Sequence, residues 1–196
     1  MKRVWQLTAA LALAVAVSAC DNARTNDNRA ASGDKATGTT GSLDADRDFV
    51  AKELAGGNAE VQLAQLAQDK ATHADVKEFA ALMIRDHQAA SAELKPIAAK
   101  MNAAKSDERA DADKDVRDKI EDLSKLSGRD FDKKYISEMI DDHENDVREL
   151  EKKADNAADP EVKSWAAKTL PTVRQHLERA KSIKETLDHS DDAAPR

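Results

Sequence analysis

Aromatic residues make up only 3% of the chain, and six glycines and four prolines are spread over 196 residues. Strands draw on aromatic residues and tight turns on Gly and Pro, so this scarcity disfavours a β-rich fold. Cysteine occurs once, at Cys20. A single thiol excludes an internal disulfide framework and a zinc site built from several thiolates. Basic blocks are missing as well. Thirty-one Lys and Arg face 38 Asp and Glu, a net charge of −7, and a mixed, acidic chain of this kind does not suit nucleic acid. The one sustained apolar run, residues 11–17, is too short to span a bilayer. No nucleophile elbow, phosphate loop or haem-attachment motif is present. What is there is Ala, Leu, Glu, Lys and Asp, the composition of helices.

The first residues have the layout of a secretory signal: Lys2 and Arg3, the apolar run, then Val17-Ser18-Ala19-Cys20. Two processing routes compete. A general signal peptidase cuts after Ala19, or Cys20 is lipidated and becomes the first residue of a lipoprotein. The chain's one cysteine stands at the obligatory position of a sequence that resembles the bacterial lipobox, which favours lipidation. Residues 1–19 are thus expected as signal peptide and 20–43 as lipidated cysteine plus flexible tether, rich in Asn, Gly, Ser and Thr. Such a tether reaches about 25–30 Å. The expected location is the periplasmic side of a bacterial membrane, inner or outer, with the membrane itself as partner through the lipid. A protein partner and homo-oligomerisation stay open.

Helical periodicity predicts long helices over about 46–69, 73–101, 129–155 and from Pro160 to about 187, with a weaker one over 113–126. Asp44 or Asp46 is placed to cap the first, and Pro96 and Pro171 are expected to kink theirs. Four long helices with short links imply an all-α, antiparallel four-helix bundle over 44–189, with an accessory helix between helices two and three and a disordered tail over 190–196.

The apolar seams carry polar residues at mid-height. His87 interrupts the run Val76, Ala80, Met83, Ala90, Leu94. His143 stands between Ile136, Ile140 and Val147, Leu150, and His176 between Val162, Trp165, Thr169, Val173 and Ala180, Ile183. Glu60 faces the core on one of two stripes of the first helix. Each lies near its helix centre, so an antiparallel arrangement brings one carboxylate and three imidazoles into one layer. Such a layer is either a transition-metal site or a buried polar network closed by hydrogen bonds and water. Asp86 and Asp142, each one residue before a seam histidine, are candidates to orient an imidazole. Met83-Ile84-Arg85-Asp86-His87 is echoed by Met139-Ile140-Asp141-Asp142-His143, and a Met one turn before each His keeps copper open.

Ala59-Glu60-Val61, Asp86-His87, the stretch from Ser127 through Gly128-Arg129-Asp130-Phe131 to Tyr135, His143, and the stretch from Leu170 through Pro171 and His176 to Leu177 together resemble the bacterial family catalogued as domain of unknown function 4142. The resemblance covers about 48–180. It implies a ferritin-like bundle and an exported protein, and no established reaction. True ferritins place Glu three residues before the liganding His. Here Ile84, Ile140 and Val173 hold those places, so a bridged di-iron site is not expected, and a mononuclear His-rich site or none fits better. Three functions follow in order. The first is an envelope protein that binds Zn, Fe, Mn or Cu for buffering, carriage or sensing. The second is an architectural or interaction lipoprotein. The third is a metal-dependent oxidase.

Overall fold

The computed structural model describes residues 37–103 and 108–192, with side chains described over 43–103 and 114–189. The expected signal peptide, Cys20, the expected tether up to residue 36 and the last four residues lie outside the described residues. Among the described residues the fold is all-α, with five helices: α1 (Thr37–Lys70), α2 (Ala74–Met101), α3 (Glu108–Ser124), α4 (Gly128–Asn156) and α5 (Pro160–Asp192). None is long and apolar enough to cross a membrane.

α1 begins earlier than expected, inside the stretch read as tether. Once Phe49 and Val50 are fixed in the core, extending the helix backwards adds a hydrogen bond per residue without a new nucleus. α5 likewise continues past its last core residue, Leu187. α2 and α5 run unbroken through Pro96 and Pro171. The carbonyls that lose a partner belong to Ala92 and Ala167, both on exposed residues, where water replaces the missing bond.

α1 packs along α2, and α4 along α5; α2 also meets α5 and α1 meets α4. Each pair is a hairpin with a short link, 71–73 in one and 157–159 in the other. The two hairpins are related by a constant step of 86 residues. Asp132 follows Asp46 at that step, as do Tyr135 after Phe49, Asp146 after Glu60, Val162 after Val76 and Trp165 after Phe79. Contacts repeat with the residues. Phe79 meets Tyr135 edge-on, and Phe49 meets Trp165 in the same way. Asp132 accepts from the backbone of Thr72 and His73, at 2.9 Å from His73 N, and from the Thr72 hydroxyl. Asp46 accepts from Ala158 N at 2.7 Å and Asp159 N at 2.8 Å. So Asp46 does not cap its own helix. It lies inside α1, buried, where its carboxylate holds the link before α5; α5 itself is capped by Asp159, which accepts from Glu161 N and Val162 N. Lys153, 7% exposed, completes this corner by donating to Asp46 Oδ1 and to Ala45 O.

The core has two apolar clusters. One gathers Leu63, Phe79, Met83, Tyr135, Met139 and Ile183, and α3 joins it through the buried Leu123. The other gathers Phe49, Val50, Leu94, Leu150, Trp165 and Val173. Glu60, His143 and His176, buried polar residues, belong to neither cluster.

Candidate metal centre

Four helices each supply one residue to the polar layer: Glu60 from α1, His87 from α2, His143 from α4 and His176 from α5. Three of them are buried, and the His87 side chain is 11% exposed. Their ring centroids are 5.4–5.6 Å apart, and each histidine offers one ring nitrogen within 4.8 Å of the other two.

Carboxylates hold the rings from behind. His87 Nδ1 lies 2.9 Å from Glu60 Oε2, and His176 Nε2 lies 2.9 Å from Asp86 Oδ2. His143 Nδ1 is 3.3 Å from Glu60 Oε1, outside hydrogen-bonding geometry. His143 Nε2 and His176 Nδ1 face each other at 3.4 Å, and His87 Nε2, on the far side of its ring from Glu60, has no hydrogen-bond partner. Glu60 therefore stands behind two of the rings, and Asp86 behind the third.

Asp142 does something else. Both its oxygens take Lys119 Nζ of α3, at 2.6 and 2.8 Å, and Glu138 shares that ammonium. The expected imidazole partner is absent because Asp142 looks toward α3. Asp146 is the residue that sequence reasoning missed. It forms, with Glu60 and His143, a second group whose ligand atoms lie within 4.8 Å of one another. Its signal was present: it stands three residues after His143, on the same helix face. The Glu-x-x-His pattern of ferritins puts the carboxylate three residues before the histidine, and Asp146 lies on the other side of His143. A cavity of about 80 Å³, lined by Glu53, Glu60, His87, Asp146, Trp165 and His176 among others, adjoins the layer. That is room for a few waters.

The family model described as Domain of unknown function (DUF4142) matches residues 30–183. The chain belongs to that family. Comparison with curated proteins and with solved structures returns no match.

In this DUF4142 chain the layer is electrostatically uneven. Burial pushes the Glu60 carboxyl up, but His87 and then His143 outweigh it and bring the group to about 2. Burial lowers His87, and the Glu60 charge and hydrogen bond outweigh that, so His87 ends above its ordinary value. The ion pair of the layer is thus Glu60 with His87. Burial takes His143 down to about 4 and lowers His176 against the pull of Asp86, so both are neutral near pH 7 and available as ligands.

Asp146 has the opposite behaviour. Burial first, and the Glu60 charge second, push its carboxyl from 3.8 to about 8. Between those values the folded protein keeps a proton that the unfolded chain releases, so stability falls as pH rises through the window. Asp146→Asn removes this. In urea melts of the metal-free protein the variant gains on the parent as pH goes from 4 to 8. A difference that stays constant over that range would mean Asp146 ionises normally.

Proposed function

We propose that the protein holds one transition-metal ion between His87 Nε2, His143 Nε2 and His176 Nδ1, and acts as a metal-binding protein of the cell envelope, in buffering, carriage or sensing. The observation that carries this reading is His87 Nε2: buried, without a hydrogen-bond partner, and turned away from Glu60. A charged His87 leaves an N–H there with nothing to accept it, which is costly. A metal ion in place of that proton turns the cost into a bond. The donor set fits. Metal-ligating histidines are held through their second nitrogen by carboxylates, and Glu60 supplies one to His87 and Asp86 one to His176. Three imidazoles suit Zn or Cu(II), and also Fe or Mn. A fourth position facing the 80 Å³ cavity leaves space for water. Such an ion, when bound, supplies Lewis acidity or redox chemistry; the chain's own part is to orient the three rings and keep two of them neutral.

The frame we infer is a ferritin-like four-helix bundle of α1, α2, α4 and α5, with α3 as its accessory helix. Cys20, lipidated after removal of residues 1–19, then tethers it to the periplasmic face of a membrane.

One preparation tests both parts: the protein extracted whole from membranes without chelators, for intact mass and metal content, followed by titration with Zn, Fe, Mn and Cu. The expected result is an acylated N-terminal Cys20 and one tightly held equivalent. Ala substitution of His87, His143 or His176 weakens that binding by more than about 100-fold, since loss of an outer-sphere partner alone costs 10–100-fold. Uptake of no metal by a folded protein returns the layer to an architectural polar core. A free Cys20 thiol returns the leader to a plain secretory signal.

A further inference from the structure

A second concavity lies next to the cavity beside the histidines. A cleft of about 390 Å³ lies between α1, α3 and α4, with Ala55, Ala59, Leu63 and Val116 on its walls. It shares Lys52, Gly56, Glu60 and Asp146 with the smaller cavity beside His87 and His176. The junction is open at Gly56, where an added Cβ would meet nothing within 4 Å.

Glu60, which lines both hollows, has a buried oxygen without a hydrogen-bond partner, Oε1, and so has His143 a nitrogen, Nδ1. They are 3.3 Å apart. That spacing is poor for a hydrogen bond in this orientation and right for two donors of one ion, because ligands about 2.0–2.2 Å from a metal stand roughly 3.0–3.5 Å from each other. Asp146 brings a carboxylate oxygen within 4.8 Å of both residues' ligand atoms. Buried orphan acceptors of this kind call for a partner.

We propose that Glu60 Oε1, His143 Nδ1 and Asp146 form a second cation position, a loading site that receives a divalent ion from the α1–α3–α4 cleft and passes it to the histidine trio. The inference rests on the metal reading above. Both positions draw on His143, and a neutral imidazole has one ring lone pair, so they fill alternately. As the ion enters, the proton held by Asp146 leaves to water, to be regained when the ion moves on; with the ion on Nδ1 the His143 ring proton sits on Nε2. As the ion moves to Nε2 that proton leaves to water, and one returns from water at Nδ1, beside the negative charge of the freed Glu60. The proton on His87 Nε2 departs to the cavity as the trio closes on the ion.

Cobalt(II), followed by its visible absorption after rapid mixing with the whole protein, tests this. Asp146→Asn is expected to reach the parent's final stoichiometry and spectrum but to load at least about tenfold more slowly, the lower end of what a lost metal partner costs. His176→Ala, which breaks the trio, keeps a weak site, and adding D146N to it removes that site. Gly56→Leu touches neither ligand set, suits a helix and slows loading by filling the junction, so it decides the matter if D146N does not fold. Loading of D146N and G56L at the parent's rate overturns the proposal. So does equal affinity of H176A with and without D146N, or loss of the final site in D146N alone, which would make Asp146 a resident ligand. If the parent takes no cobalt, the trio itself has failed and the loading site falls with it.

Discussion

Glu60→Ala is expected to lower stability more than any other single change in the polar layer, and to lower metal affinity with it. The carboxylate is buried and faces His87 at 2.9 Å and His143 at 3.3 Å. Without it His87 is a buried imidazole with no acceptor. Breaking a buried ion pair by removing one partner costs about 3–5 kcal/mol. The rings also lose their orientation, which lowers metal affinity about 10–100-fold. Glu60→Gln falls between the two, because one amide oxygen cannot face both rings. The effect depends on pH in a definite direction. The folded carboxyl sits at about 2 against an ordinary 4.5, so its contribution is complete above 4.5 and is lost as pH falls toward 2. Urea unfolding at pH 7 and pH 3, with zinc titration at pH 7, checks both halves. An unchanged midpoint in E60A at pH 7 would mean that Glu60 and His87 form no ion pair.

The second large effect belongs to the corners. Asp46→Ala strips the carboxylate from Ala158 N, Asp159 N and Lys153 Nζ together. The ammonium of Lys153 is then buried with only Ala45 O to accept from it and the Phe49 ring beneath it, and the cost is again about 3–5 kcal/mol. Asp132→Ala at the equivalent corner frees two backbone N–H groups and a hydroxyl. Thr72 is exposed, water can reach these donors, and the cost is about 1–3 kcal/mol. Urea midpoints should therefore rank D46A below D132A, and Lys153→Met added to D46A should recover part of the loss. Equal midpoints for the two single variants would show that the Lys153 charge contributes nothing to the difference.

The histidine trio was legible because a polar residue on an apolar 3.6-residue seam is conspicuous, and because mid-helix positions in hairpins meet. The helices themselves were legible for the same reason, within a few residues except at the start of α1. Asp146 was hidden among the many acidic residues of α4, where nothing in periodicity separates a cavity carboxylate from a solvated one. Asp142 misled for the reverse reason. Adjacency to His143 in sequence turns it about 100° away on the helix, toward Lys119. Asp46 had the look of an N-cap, and only the packing of one hairpin on the other shows that the turn it caps is more than a hundred residues away. The echo between Met83–His87 and Met139–His143 was visible and joined the wrong helices. The repeat of the fold, at 86 residues, pairs α1 with α4 and α2 with α5 through few identical residues.

The 86-residue step bears on how many ligands such a frame can offer. Two copies of one hairpin, associated as a symmetric homodimer, present every side chain twice, so ligands come in even numbers. Here the two halves are covalently joined and have diverged: where α4 carries His143, α1 carries Gly57; opposite His87 of α2 stands Val173 of α5, and opposite His176 stands Ala90. Within the polar layer, Glu60 and Asp146 are the pair that keeps the same chemistry at that step. A set of three imidazoles around one point is open to a tandem chain and closed to a strict dimer, and the same asymmetry leaves one carboxylate of the surviving pair behind the rings and the other at the mouth of the cleft.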